Sequence, residues 1–170
     1  MAAAETHYTP PLPPLDPAPK VLIVVAPYYK DIADALVTGA KRAIEAAGGF
    51  WEIAEVPGAL EIPPAIGIAL RQAEFDAYVA LGCVIRGETT HYDTVCNDSS
   101  RGLMQLALSG ACLGNGILTV ENRAQAVVRA DPNGQDKGGG AAVAALHLVA
   151  LGRRFKRGGK PVGFVRAFSE

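Results

Sequence analysis

The apolar run Val21–Ala26 (VLIVVA) decides the fold class of this chain. It shows no alternation of polar and apolar residues, which is typical of a strand buried on both faces of a parallel sheet. The next segment, Asp31–Ala47, carries apolar residues at helical spacing and stops at Gly48-Gly49. A buried strand followed by an amphipathic helix predicts the first part of a βαβ unit.

The same alternation continues along the chain. Further strands are predicted at Phe50–Val56, Ala77–Ile85 and Gly116–Val120, and further helices at Glu61–Arg71, about 90–110, 122–130 and 139–154. Strands joined by helices of this length form a parallel sheet covered on both faces. The sequence therefore predicts an α/β fold, a three-layer α/β/α sandwich with a four-stranded parallel sheet. The run Gly138-Gly139-Gly140, which no strand precedes, is interpreted as a flexible hinge.

Composition indicates one domain with a tail at each end. The chain has 170 residues, the size of one ordinary domain. Residues 1–19 form a proline-rich tail, because prolines at positions 10, 11, 13, 14, 17 and 19 favour an extended chain and remove backbone donors. Residues 20–156 form the α/β domain, and residues 157–170 form a short basic, glycine-rich tail.

Charge, cysteines and hydropathy exclude several classes of protein. A net charge of −1 and few aromatics argue against a nucleic-acid surface. The three cysteines form no C-x-x-C pair, which favours free thiols in a reducing compartment. No apolar run approaches the roughly 18 residues of a membrane span, and the N-terminus does not resemble a secretory signal. We therefore expect a cytoplasmic protein that contacts neither a membrane nor nucleic acid.

Common catalytic motifs are absent from the sequence. It contains no P-loop, no dinucleotide-binding glycine motif, no H-E-x-x-H and no nucleophile elbow. His7 lies in the proline-rich tail and His147 in an apolar helix, and neither has a metal-ligating neighbour in sequence. We therefore do not expect a catalytic metal.

In a parallel sheet, ligands bind beyond the carboxyl ends of the strands. Four segments leave those ends: Pro27–Tyr29, Pro57–Glu61, Ile85–His91 and Glu121-Asn122. The third is the richest in chemistry, because it places an arginine, a glycine, two threonines and a histidine between a buried strand and a helix start.

Thr89, Thr90 and His91 predict an anion site with a proton-transferring group. Free amides and the helix dipole at a helix start bind anions, although the threonines are equally consistent with an ordinary N-cap. The same dipole disfavours imidazolium, so His91 can accept and return a proton, whereas a bound phosphate would favour protonation. The alternative is a polar surface histidine. Arg129 and Lys137 are candidate phosphate ligands, or else ordinary surface charges.

Four segments together resemble the lumazine synthase family. They are VPGALEIP (Val56–Pro63), LGCVIRGETTHYDTVCN (Leu81–Asn97), ILTVEN (Ile117–Asn122) and the stretch from Arg129 to Lys137-Gly138. They occur in family order over about residues 20–155. The resemblance implies a flavodoxin-like fold and the cofactor-free condensation of 5-amino-6-(D-ribitylamino)uracil with 3,4-dihydroxy-2-butanone 4-phosphate. The products would be 6,7-dimethyl-8-ribityllumazine, phosphate and water.

The resemblance also assigns roles to individual residues. It implies proton transfer for His91 and phosphate binding for Glu88, Thr89, Arg129 and Lys137. The glutamate departs from the smaller residue of the family and must point away from phosphate.

For the other substrate, the resemblance implies that Tyr28 stacks on the pyrimidine, with Tyr29 as the alternative. The further residues implied in substrate binding are Ala59, Leu60, Glu61, Cys83, Val84, Ile85 and, from a neighbouring subunit, Asn115. Leu60 and Asn115 stand where the family often has aromatic residues, which puts affinity for the pyrimidine in doubt.

The family further implies homopentamers with active sites between subunits, in some members joined as twelve pentamers in a shell, and riboflavin synthase as a candidate partner. The size of the assembly stays open. Two alternative functions also stay open: a paralogue that binds flavin or lumazine with little catalysis, and an isomerase or aldolase acting on another phosphosugar.

Overall fold

The computed structural model describes residues 8–157. Residues 1–7 of the predicted N-terminal tail, and all of the predicted C-terminal tail except its first residue, lie outside the described residues. Residue 157 itself is the last residue of a helix.

Within residues 8–157, four strands alternate with five helices. The strands are β1 (Lys20–Val25), β2 (Phe50–Glu55), β3 (Ala77–Ile85) and β4 (Leu113–Val120). The helices are α1 (Lys30–Ala46), α2 (Ile62–Gln72), α3 (His91–Leu108), α4 (Arg123–Ala130) and α5 (Lys137–Arg157), with a 3₁₀ turn at Ala59–Glu61 before α2.

The strands form one parallel sheet in the order β2-β1-β3-β4. In β1 every residue after Lys20 is buried, because the two faces of the sheet are both covered. One core joins the sheet to α1, α4 and α5 around Leu36 and Leu146. The other joins it to α2 and α3 around Ile62 and Leu103. These two cores confirm the predicted α/β/α sandwich.

Local sequence signals account for four of the ten ends of the helices α1 to α5. Gly48, at φ 73°, lies just after α1, and Gly110, at φ 114°, just after α3, so both positions favour glycine. Prolines occupy the first turn of α2, where the missing N–H costs little. The Asn122 side chain accepts a hydrogen bond of 3.0 Å from Gln125 N and caps α4.

Two errors in the predicted elements involved glycines. Strand β4 begins at Leu113 rather than Gly116, because Leu113 already pairs with Tyr78 of β3. Its Gly114 lies directly under α5, where a Cβ would be 1.9 Å from Ala141 O. The hinge interpretation of Gly138-Gly139-Gly140 was wrong, because these residues form the first turn of α5. A Cβ on Gly138 would lie 2.1 Å from Leu36 O, so this glycine permits the close approach of α1 and α5.

Residues 8–19, here called the N-terminal strap, run along α5 of the same chain. His147 Nε2 lies 3.1 Å from Pro10 O, and Arg157 donates a 2.6 Å hydrogen bond to Asp16 O. Arg153 donates both to Pro17 O and to the Asp76 carboxylate. The strap thus rests on its own domain through backbone carbonyls.

None of the helices within residues 8–157 combines the length and apolar character that a membrane crossing requires.

Candidate active site

A cleft of about 400 Å³ opens at the carboxyl end of the sheet, where the chain leaves β1, β2 and β3. Exits of adjacent parallel strands meet at one edge, which explains why residues far apart in sequence share this cleft. The predicted site residues that line it are Tyr28, Tyr29, Ala59, Leu60, Glu61, Cys83, Val84, Ile85, Thr89 and His91.

The exit of β1 supplies two tyrosines. Their ring centroids lie 5.1 Å apart with the planes at 74°, an edge-to-face arrangement. Tyr29 is half-buried against the core between the sheet and α1, whereas Tyr28 is 74% exposed. Both candidates for stacking on the pyrimidine therefore line the cleft, but only Tyr28 has a largely exposed ring.

The exit of β2 supplies the 3₁₀ turn Ala59–Glu61. This turn places a carboxylate at the cleft beside backbone amides and an aliphatic side chain. Such a mixture suits a ligand that carries both hydroxyl groups and a flat ring.

The floor of the cleft is the end of β3. Cys83 is 9% exposed, and burial raises the pKa of its thiol to about 11; the positive charge of Arg123 opposes this with a smaller effect. The thiol is therefore protonated near neutral pH and is a poor nucleophile. It acts as an apolar wall beside Val84 and Ile85.

A loop joins β3 to α3 and supplies Thr89 and His91. His91 is the first residue of α3 and is exposed. Thr90 makes no side-chain capping bond, and Thr89 Oγ1 accepts only a long contact of 3.4 Å from His91 N. The first amides of a helix have no partner within the helix, so this turn offers donors to an anion next to the imidazole.

Four predicted site residues lie outside the cleft lining of a single subunit. Glu88 is exposed in the loop before α3, and Lys137 is exposed at the start of α5. Arg129 is half-buried on α4 and donates a 3.0 Å hydrogen bond to Gln125 O. Asn115 is exposed on the edge strand β4. One subunit thus brings together the proton-transfer candidate and the ring-stacking residue, but neither cationic phosphate candidate.

Five residues that sequence reasoning missed also line the cleft: Ala26, Gly58, Gly87, Tyr92 and Val95. Val95 could have been found, because it follows His91 by four positions and shares its helix face. The other four lie within or directly beside the strand-exit segments that the sequence analysis named. Within residues 8–157, no three His, Cys, Asp or Glu side chains group closely enough to hold a metal ion.

Comparison with known proteins gives one family. The family model described as 6,7-dimethyl-8-ribityllumazine synthase matches residues 18–153. A protein of that name from Jannaschia sp. (strain CCS1) is 55% identical over 152 residues, which is 89% of this chain and 84% of the relative. One from Novosphingobium aromaticivorans is 56% identical, covering 80% of this chain and 98% of the relative. One from Azorhizobium caulinodans is 58% identical, covering 79% and 87%.

Proposed function

The chain belongs to the 6,7-dimethyl-8-ribityllumazine synthase family, and from this premise we propose that the cleft at the carboxyl end of its sheet is the active site. The protein is a transferase of riboflavin biosynthesis. It condenses 5-amino-6-(D-ribitylamino)uracil with 3,4-dihydroxy-2-butanone 4-phosphate and releases 6,7-dimethyl-8-ribityllumazine, phosphate and water. A paralogue that only binds flavin is not favoured. The observation that carries the site proposal is the convergence of Tyr28, Ala59–Glu61 and His91 on one cleft.

His91 is the proposed acid/base. The amine of the uracil adds to the ketone and water leaves, which gives a Schiff base. Phosphate is then eliminated, the ribitylamino nitrogen adds to the carbonyl that this elimination creates, and a second water leaves as the ring closes. Each step moves a proton to or from nitrogen, carbon or oxygen, so one imidazole at the cleft can serve several of them. The adjacent helix start would hold the phosphate next to that imidazole.

Tyr28 is the proposed stacking partner of the pyrimidine, because its exposed ring faces a flat, polar substrate better than the half-buried Tyr29. The turn Ala59–Glu61 would bind the ribityl chain through backbone groups and the carboxylate, against the apolar floor Cys83–Ile85. Much of the rate then comes from holding two reactants in register.

A neighbouring subunit would supply the missing cations. Helix α3 has 18 residues, of which only Ser99 and Leu103 are buried, while Met104 is 59% and Leu108 81% exposed. The helix begins at the cleft, and the two exposed apolar side chains lie four residues apart in its last turns, which favours coverage of α3 by another copy. We propose a homo-oligomer built from pentamers, in which Arg129, Lys137 and Asn115 of one subunit complete the cleft of the next.

Riboflavin synthase, which consumes the lumazine product, stays a proposed partner. A cytoplasmic location stays a prediction, and so does metal-free chemistry.

The role of Glu88 is confined to its backbone amide, because its carboxylate would repel phosphate.

The test is a direct assay of the purified protein. Mixing it with the two substrates should give the lumazine absorbance and stoichiometric release of phosphate. His91→Ala should lower kcat by roughly 10²–10⁴-fold, the usual contribution of a positioned acid/base.

The matched control is His147→Ala, because that histidine contacts the strap at Pro10 and is not among the residues lining the cleft. It should keep the wild-type kcat. A His91→Ala enzyme with unchanged turnover would remove this residue from the mechanism, and a wild-type protein that forms no lumazine would refute the proposed site.

A further inference from the structure

Arg86 joins three elements just outside the cleft. It follows the last residue of β3, and its backbone N–H donates a 3.0 Å hydrogen bond to Val120 O at the end of β4. Its guanidinium donates from Nε to Glu121 Oε2 at 2.8 Å, and Nη1 lies 3.6 Å from Asp93 Oδ1. The guanidinium carbon also lies 4.1 Å from the ring centroid of Tyr92.

These contacts tie the first turn of α3 to the sheet. Tyr92 and Asp93 are the second and third residues of α3, while Glu121 follows β4, the strand paired with β3. The planar fork of an arginine can bind a carboxylate and stack on a ring at once. Arg86 therefore connects the two strand ends to the residues immediately after His91.

The loop before α3 and the first residue of that helix have no burial of their own. Residues 86–91 are all exposed, and the threonine preceding α3 makes no capping bond. In the described chain, the first buried residues of α3 are Ser99 and Leu103, more than two turns after His91. First turns of helices fray unless they are tied down, so the position of His91 depends on contacts made near it.

We infer that Arg86 is a positioning residue, which sets the location of His91 by holding Tyr92 and Asp93 against the end of the sheet. Arg86 does not line the cleft, whereas Tyr92 does. The inference rests on the proposed role of His91 as acid/base. Displacing a reacting group by about 1 Å can cost on the order of 100-fold in rate, so loosening this turn should lower kcat while substrate binding by the rest of the cleft is retained.

The test compares Arg86→Lys and Arg86→Ala with wild type in the two-substrate assay. Lysine keeps the positive charge but loses the planar fork and the stacked ring contact. Both variants should lower kcat by roughly tenfold to 100-fold. The KM of each substrate should change less than about twofold, because ground-state binding is made elsewhere in the cleft. Arg86→Lys, the conservative variant, decides the question if Arg86→Ala does not fold.

A double variant distinguishes positioning from general damage. In a His91→Ala background, Arg86→Lys should lower kcat by less than about twofold further, because a residue that acts through His91 has nothing left to position. A matched control is Lys41→Ala, which loses a contact of the same kind, with Nζ 4.1 Å from the Trp51 ring centroid, and should keep the wild-type kcat.

Two results would overturn the inference. One is an Arg86→Lys enzyme with the wild-type kcat. The other is an Arg86→Lys substitution that lowers kcat by the same factor in the His91→Ala background as in the wild-type enzyme. If His91→Ala alone retains the wild-type kcat, the proposed acid/base role fails instead. The failure of the acid/base role can be distinguished from the failure of the positioning role, because it is seen in the single His91→Ala variant, in which Arg86 is unchanged.

Discussion

Gly138→Ala should destabilise the protein strongly, because the new methyl group would meet backbone rather than a movable side chain. Its Cβ would lie 2.1 Å from Leu36 O, 2.7 Å from Leu36 C and 2.8 Å from Leu36 Cα. Ordinary carbon contacts are about 3.5–4.0 Å, so α1 and α5 would have to separate by more than 1 Å. The core at their crossing includes Leu36 and Leu146, both 0% exposed, and would be opened by that movement.

We expect a loss of about 3 kcal/mol in the free energy of unfolding, at the upper end for overpacking because neither helix backbone can yield locally. For a domain of this size, that corresponds to a fall in Tm of about 6–12 °C. Calorimetry on wild type and variant would measure it. Subunit concentrations must be equal, because assembly raises apparent stability by mass action.

Gly140→Ala is the matched control, two residues further along the same first turn of α5. A Cβ there would meet nothing within 4 Å. Alanine is the better helix former by about 0.5–1 kcal/mol, so Tm should stay the same or rise slightly. A Gly138→Ala protein with the Tm of wild type would refute the close-packing argument.

Three further predictions concern the site and the strap. Arg129→Ala should chiefly raise the KM for the phosphorylated substrate, measured by steady-state kinetics, and an unchanged KM would exclude a phosphate contact. Because burial raises the pKa of Cys83 to about 11, the stabilisation from its protonated thiol is complete below about pH 9 and is lost as the pH rises towards 11. Urea unfolding of Cys83→Ala should therefore show a smaller loss of stability over that range, and an identical loss would contradict it. Arg153→Ala removes the donors to Pro17 O and Asp76, so chymotrypsin should cut faster after Leu15 than in Arg154→Ala. Arg154 lines the same groove but donates no hydrogen bond to residues 8–19, and its guanidinium lies 5.2 Å from the Phe155 ring centroid. Equal rates would show that Arg153 does not hold the strap.

The two central strands of the sheet, β1 and β3, were predictable from sequence because they are buried on both faces. Uninterrupted apolar runs such as Val21–Ala26 and Ala77–Ile85 appear in the structure within one residue of the predicted bounds. The errors concerned the start of β4, which was predicted three residues too late and so left out Gly114, and Gly138, which was interpreted as part of a hinge. Both glycines instead allow backbones distant in sequence to touch, a property that no local pattern encodes.

The predicted cleft residues lay at strand exits, where a general rule for parallel sheets places ligands. That rule, together with the family resemblance, identified Tyr28, Ala59–Glu61 and His91, although their catalytic roles stay proposals. The arrangement around Arg86 could not be found in this way. It depends on Glu121, 35 positions away, whose proximity follows only from the pairing of β3 with β4.

The contact between Arg157 and Asp16 O brings the end of α5 to the strap, so residues 16 and 157 lie within about the reach of one arginine side chain. In a variant trimmed to residues 16–157, a short linker could join these two residues, and new termini could be opened at the exposed turn around Gly110, between α3 and β4. Circular permutation succeeds when the joined ends are close and the opened loop lies at the surface. Such a permutant would move the points for genetic fusion from the end of α5 to the turn after α3.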